Sequence, residues 1–253
     1  MIFLAISFFL VALLYSMAGL GGASTYSALL VLFGTDFRIY PIVALICNLI
    51  VVSGGCWFFL KRGHFSSRLL LPFIITSIPM AHFAGRISID KTLFFSVLGI
   101  ALLLAGTIML FNRHLQEHIV APETNRNLWL WGLPMGAGLG GLAGLVGIGG
   151  GIFLSPVLFL LAWGTSRQIA ATASGFIFVT SLAGISGQYY KVAGSIGLNP
   201  ILDFWPVFIA VLIGGQIGSR LSSNRLPAEF IQRLTAVLVL YVALRIGWHL
   251  LQG

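Results

Sequence analysis

Acidic residues are nearly missing from this 253-residue chain: six Asp and Glu against 14 Lys and Arg. Charged residues make up 8% of it, where a water-soluble domain carries about 25%. Most of the chain therefore cannot face water. Asp36, Asp90, Glu117, Glu123, Asp203 and Glu229 all fall in polar intervals or at the ends of apolar runs. That excludes a mid-membrane carboxylate acting as proton carrier or Na⁺ ligand. Proton coupling would fall to His82, a peripheral carboxylate or a substrate that titrates by itself. Cysteine is scarce too. Cys47 and Cys56 are nine apart, on opposite faces of a helix, so neither a disulfide nor a shared metal is expected. Both read as small buried hydrophobes, with Cys47 a possible cavity lining beside Asn48. No basic face on a soluble domain exists to hold nucleic acid. The short polar/apolar alternation of a β-barrel is missing as well. No cofactor or metal is expected.

What is present is apolar sequence. Hydrophobic residues make up 58%, with a mean hydropathy of +1.02. Ten segments can be marked, at 2–18, 24–34, 40–60, 69–85, 92–111, 128–146, 152–163, 168–190, 202–220 and 229–251. Runs near 20 residues read as membrane-crossing helices. The first resembles a signal peptide, with Ser16-Met17-Ala18 at a cleavage-like position. It has no basic n-region and has a partner later in the chain, so it is read as a retained helix.

The chain repeats itself. Gly19-Leu20-Gly21-Gly22-Ala23-Ser24-Thr25-Tyr26-Ser27 returns as Gly147-Ile148-Gly149-Gly150-Gly151-Ile152-Phe153-Leu154-Ser155-Pro156. Gly34-Thr35 matches Gly164-Thr165, Lys61 matches Lys191, and Pro72 matches Pro206. Gly85-Arg86-Ile87-Ser88 matches Ser219-Arg220-Leu221-Ser222. The expected organisation is a first membrane repeat over 1–112, a polar linker over 113–127 and a second membrane repeat over 128–253. Five segments per half is an odd number, so the second half enters the membrane upside down. The fold class expected is thus all-α integral membrane, two inverted repeats of five helical segments. Loop cations lean the same way: Lys61, Arg62, Arg68, Arg113, Arg126, Arg167, Arg220 and Arg225 collect on one side, and Arg38, Arg86, Lys91, Lys191 and Arg245 on the other. The richer side is taken as cytoplasmic, with both termini outside.

Segments 24–34 and 152–163 are too short to cross. Eleven residues reach about 16 Å of a core roughly 30 Å thick. Each is expected to be a half-helix starting near the midplane. A helix that starts there offers unpaired N–H groups and about half a positive charge, an anion site without a basic side chain. The candidate substrate-binding residues are therefore Gly21, Gly22, Ser24, Thr25 and Ser27 in the first half and Gly149, Gly150, Gly151 and Ser155 in the second. Asn48, Thr172 and Ser174 join them as polar groups at membrane depth. Pro156 is expected within the first helical turn or so, where its missing N–H costs little. His82 and Gln216 hold equivalent positions one turn before Arg86 and Arg220, and these four are candidates for gating or proton coupling. Glycines as plain packing positions are the competing reading. Gly132, Gly136, Gly140 and Gly144 recur every four residues and read as that kind of ladder. The dinucleotide fingerprint formally present at Gly136, Gly138 and Gly141 lacks a strand and a following acid, and is rejected.

The second phrase, followed by Gln168-Ile169-Ala170-Ala171-Thr172-Ala173-Ser174-Gly175, resembles the TauE/SafE sulfite exporter family. The resemblance covers the whole chain. The first copy departs from the fuller pattern, with Ala23 for the third glycine and Ala28 where Pro156 would align. The family implies a carrier of sulfur-containing oxyanions in the bacterial inner membrane, with sulfite or an organosulfonate as substrate; alternating access, one bundle moving against the other, is the mechanism expected of the two repeats. The substrate expected is thus a small inorganic or organic sulfur anion, and the surroundings a lipid bilayer. A passive anion channel of the same fold is the alternative. An enzyme is not expected. Ala173-Ser174-Gly175 faintly resembles the serine motif of rhomboid proteases, with His82 or His249 as base, but Thr172 stands where that motif needs glycine.

Overall fold

The structure is a computed structural model, and it describes residues 1–17, 21–61, 63–111, 127–161, 163–195, 197, 199–221 and 228–252. All ten apolar segments are helices. In chain order they are α1 (Ile2–Met17), α2 (Ala23–Leu32), α3 (Tyr40–Lys61), α4 (Ser67–Arg86), α5 (Lys91–Phe111), α6 (Asn127–Val146), α7 (Gly151–Leu160), α8 (Ser166–Ser195), a single turn α9 (Asn199–Leu202), α10 (Trp205–Leu221) and α11 (Ala228–Gln252). No strand occurs among the described residues. Of the expected linker over 113–127 only Asn127 is described, as the first residue of α6; the rest lies outside the described residues, as do Gly19 and Leu20 of the first phrase.

Among the described residues five helices are long and apolar enough to cross a membrane: α3, α4, α5, α6 and α8. The surface they present is that of a protein in lipid. Ile2, Leu244 and Leu251 are 77%, 67% and 86% exposed, which no water-facing helix would afford on this scale. The chain is an all-α, multi-pass membrane protein. α2 and α7 have ten residues each, about 15 Å, half of a bilayer core. α8 runs past its expected end to Ser195 because nothing stops it until Gly197. There the chain turns left-handed at φ +75 and the Gly197 N–H closes onto the Val192 carbonyl at 3.0 Å, a helix stop that glycine favours. α9 then precedes the expected 202–220 segment, which α10 takes up from Trp205.

Helix directions follow from who meets whom. Asn48 meets Ser181, a Cβ on Gly184 would lie 2.9 Å from Leu45, and one on Gly55 would lie 3.9 Å from the Ser174 hydroxyl. Rising numbers on α3 thus face falling numbers on α8, and the two run antiparallel. α5 and α11 are antiparallel too, with Gly99 against Ile246 and Gly106 against Leu240. α4 runs parallel to α6 and α8, and α10 runs parallel to α1 and α3. The pairings come in matched sets: α1 packs on α10 as α6 packs on α4, and α2 on α3 as α7 on α8.

Glycine sets the closest approaches. Cβ atoms at Gly136, Gly140 and Gly144 of α6 would enter the carbonyls of Phe73, Ser77 and Ala81 of α4, and one at Gly132 would strike Pro72. The four-residue ladder is the face α6 gives to α4. Gly138 meets nothing within 4 Å, as a packing face on the other side of the helix requires. α10 carries a second such pair, Gly214 and Gly218, against the Phe9 and Leu13 carbonyls of α1.

At one end of the molecule Asp36 caps a 3₁₀ turn (Phe37–Ile39) by accepting from the Arg38 N–H at 3.0 Å, and its carboxylate also takes the Arg38 guanidinium at 2.6 Å. The side-chain hydrogen bond from Arg38 holds the Asp36 carboxyl below its ordinary range.

Candidate functional site

The two glycine phrases meet, and Asn48 stands between them. It is the ninth residue of α3, about 13 Å from that helix's start, and 1% exposed. A Cβ on Gly21 would run into the Asn48 carboxamide from one side, and a Cβ on Gly149 would run into it from the other. The same Gly149 position lies 3.5 Å from the Ala23 methyl, so the copies touch directly. α2 then runs away toward the start of α3, where the Tyr40 hydroxyl donates to the Thr35 carbonyl at 2.8 Å. α7 runs antiparallel to α8, with Gly151 against Ile177 and Ala173. Because α3 and α8 are antiparallel, the two half-helices leave the junction in opposite directions, with their N-termini turned toward each other.

The second phrase is contorted. Gly147, Gly149 and Gly150 all have positive φ, at 76, 78 and 63. At Gly149 the left-handed backbone and the Asn48 contact both require glycine. In the first phrase Gly22 sits at φ −102. Ala23 for a third glycine is therefore harmless, since it is already the first helical residue of α2. Pro156 departs from expectation: it is the sixth residue of α7, beyond the free N–H groups of the first turn, so it removes one bond of the helix itself.

Three groups on α8 brace the junction, and the expected set of site residues contains none of them. The Asn48 Nδ2 donates to the Ser181 hydroxyl at 3.2 Å. The Thr180 hydroxyl donates to the Phe176 carbonyl at 2.7 Å and lies 3.5 Å from the Gly149 carbonyl. Gln188 Nε2 donates to the Gly144 carbonyl at 2.5 Å, with Leu145 O at 3.4 Å. It thus takes up carbonyls that α6 leaves unpaired as it ends before the phrase. Ser174, Ser181 and Gln188 recur at spacings of seven, which keeps them on one face of the helix, and that spacing is the signal that could have found Ser181 and Gln188.

Buried polar atoms without a partner cluster on these elements. Among the described residues they are Tyr26 Oη and Ser27 Oγ on α2, Asn48 Oδ1, Ser155 Oγ on α7, and Thr172 Oγ1 and Gln188 Oε1 on α8. Native interiors leave few such atoms. Four of the six, on Ser27, Asn48, Ser155 and Thr172, belong to the residues singled out in the sequence. Ser24 and Ser174 are buried as well. Thr25 is committed elsewhere, its hydroxyl 2.7 Å from that of Tyr15, while Tyr26 stacks on Phe8 at 4.8 Å. Among the described residues no group of His, Cys, Asp and Glu could hold a metal.

The candidates for gating or proton coupling are not at the junction. His82 Nδ1 is 2.6 Å from the Ser186 hydroxyl, and Arg86 lies over the Tyr190 ring at 4.4 Å. Gln216 and Arg220 are exposed near the end of α10. Ser186 is twelve residues beyond Ser174 on α8, about 18 Å, so His82 cannot serve Ser174 as a base. His249 lines a separate cavity at the far end of α11.

The model of the sulfite exporter TauE/SafE family matches residues 4–246. The chain belongs to the TauE/SafE family. It is 33% identical over 245 residues to the probable membrane transporter protein y4hK of Sinorhizobium fredii, covering 97% of each chain. No solved structure matches.

Proposed function

We propose that this TauE/SafE protein is a secondary transporter that carries sulfite, or a closely related small sulfur oxyanion or organosulfonate, across the bacterial inner membrane. The observation that carries the reading is the meeting of two half-helix N-termini at one buried asparagine. Each N-terminus carries about half a positive charge at mid-depth; in α7 the Gly151 and Phe153 N–H groups turn onto the Gly149 and Gly150 carbonyls at 2.7 and 3.1 Å, so the unpaired N–H groups come chiefly from the first turn of α2. Anions bind such ends without a basic side chain. The orphaned hydroxyls of Ser27, Ser155 and Thr172 are donors in waiting, since an oxyanion offers several acceptor oxygens. Asn48 fits the same role. Turned about its terminal bond, its carboxamide accepts from the Ser181 hydroxyl and points its NH₂ toward the Gly21 side. The site residues proposed are those named from the sequence, with Asn48 at their centre.

Two inverted repeats of five segments, 1–112 and 128–253, are the architecture proposed around it. The antiparallel pairs α3/α8 and α5/α11, the opposed half-helices and the matched packing partners all favour that arrangement. Alternating access follows from rocking one bundle against the other about the fixed junction.

Asn48→Leu tests the site. The leucine matches the asparagine in branching and removes a buried carboxamide that is only half satisfied, so stability should hold or rise: an orphaned polar atom costs about 1–3 kcal/mol, against about 1 kcal/mol for the lost hydrogen bond. Sulfite flux into proteoliposomes should fall at least tenfold while the protein stays folded. Wild-type flux in folded Asn48→Leu would remove Asn48 from the site. Counterflow separates carrier from channel: sulfite loaded inside should speed uptake from outside, which a passive channel does not do.

A further inference from the structure

Away from the glycine junction, a cavity of about 550 Å³ opens where α2 ends and α11 finishes. Its floor is the loop before α3, and its walls are the first turn of α5 and the last turns of α11. These are all helix ends, so the cavity lies at the level of one membrane face. Lys91 and His249 enter it together with Arg245. Lys91 and Arg245 come from different helices, and neither has an ion-pair partner among the described residues. The one carboxylate in the lining, Asp36, is already held by Arg38 at 2.6 Å. The cavity therefore carries uncompensated positive charge.

Its other walls are greasy. Phe95 lies one turn beyond Lys91 on α5, and Ile246, Trp248 and Leu250 stand beside Arg245 and His249 on α11. Trp248 is 66% exposed, as the aromatic residues of a membrane interface are. A small oxyanion would leave most of this space and all of its apolar wall unused. Snorkelling alone would send each cation separately to the headgroup layer; here two cations from two helices converge on one space.

We propose that the cavity binds an anionic phospholipid, its phosphate between Lys91 and Arg245 and an acyl chain along Phe95, Ile246 and Leu250. The site is independent of the transport reading, since it shares no residue with the Asn48 junction.

The test uses the purified full-length protein in detergent, mixed with equal amounts of phosphatidylglycerol and phosphatidylcholine of the same acyl chains. Native mass spectrometry counts the retained lipid of each kind. Wild type should favour phosphatidylglycerol, and Lys91→Gln/Arg245→Gln should lose that preference, at roughly fivefold per cation. Lys61→Gln/Arg68→Gln, which removes the same charge at the opposite end, should keep it. An unchanged preference in Lys91→Gln/Arg245→Gln, or an equal loss in both double variants, overturns the site. So does competition by glycerophosphoglycerol, the headgroup without chains, at the same concentration as the whole lipid, because that marks a soluble-anion pocket instead. Circular dichroism and gel filtration confirm that both double variants are folded before the lipids are counted.

Discussion

Gly149 and Gly138 are eleven residues apart and serve opposite purposes. Gly149 has φ +78 and sits against the Asn48 carboxamide. An alanine there meets the left-handed penalty of about 1–2 kcal/mol and pushes on the residue that joins the two phrases. Gly138 is helical, with nothing within 4 Å of its Cβ position, so an alanine there only restores helix propensity, worth about 0.5–1 kcal/mol. Gly149→Ala should lower the thermal midpoint in detergent and cut sulfite flux, whereas Gly138→Ala should raise the midpoint and leave flux alone. A pair of variants that shifted stability in the same direction would contradict the geometry at one of the two positions. The comparison also separates the two meanings that glycine has in this chain: a backbone need at the phrases, and a space need, or none, elsewhere.

At the scale of elements, helix contact here rests on backbone laid against backbone. Gly140 of α6 would place a Cβ 2.5 Å from the Ser77 Cα and carbonyl of α4. Lipid supplies no hydrophobic drive between helices, so close approach and van der Waals contact must. Gly140→Leu should therefore prise α6 from α4 and cost several kcal/mol, comparable with overpacking a tight core. The readout is loss of the monodisperse peak on gel filtration, while Gly141→Leu, whose Cβ position is 3.9 Å from the mobile end of Met80, should keep it. The ladder was legible in the sequence because its spacing is local and periodic. So were the helices, since apolar length is a local property: the expected ends of α3 to α6 fall within two residues of the observed ones. The second ladder, Gly214 and Gly218, has the same four-residue signature and was legible as well, but it went unread. Asn48 was visible as a polar residue at depth, yet its place between the two phrases depends on α3 lying against residues more than 100 positions later. Thr180 and Ser181 belong to that same non-local geometry. His82 and Gln216 are matched in sequence position, and a repeat preserves such register along the chain whether or not a position faces the site: His82 meets Ser186 and Gln216 is exposed.

On the scale of the whole molecule, the proposed inversion has a consequence that chemistry can read from outside the cell. The turn entering α4 and the end of α8 are counterparts in the two repeats, at Ser67 and Ser195, and both residues are exposed. If the second half repeated the first in the same sense, the two would lie on one side of the membrane. The antiparallel packing of α3 and α8 instead puts them on opposite sides, since α4 starts where α3 ends and Ser195 closes a helix that runs the other way. Cation counts add a direction, because the side bearing Lys61 and Arg68 is the richer one and so is taken as cytoplasmic. In a chain with Cys47 and Cys56 replaced by alanine, Ser195→Cys should react with a membrane-impermeant maleimide on intact cells. Ser67→Cys should react only after the membrane is opened. Ser88→Cys, exposed in the loop between α4 and α5, should behave like Ser195→Cys and so ties the first half to the second on one face. Labelling of Ser67→Cys and Ser195→Cys from the same side would end the inverted reading, and with it the reason for two half-helix N-termini to face each other across one site. The opposite pattern, with Ser67→Cys labelled outside and Ser195→Cys inside, would keep the inversion and reverse only the orientation drawn from charge.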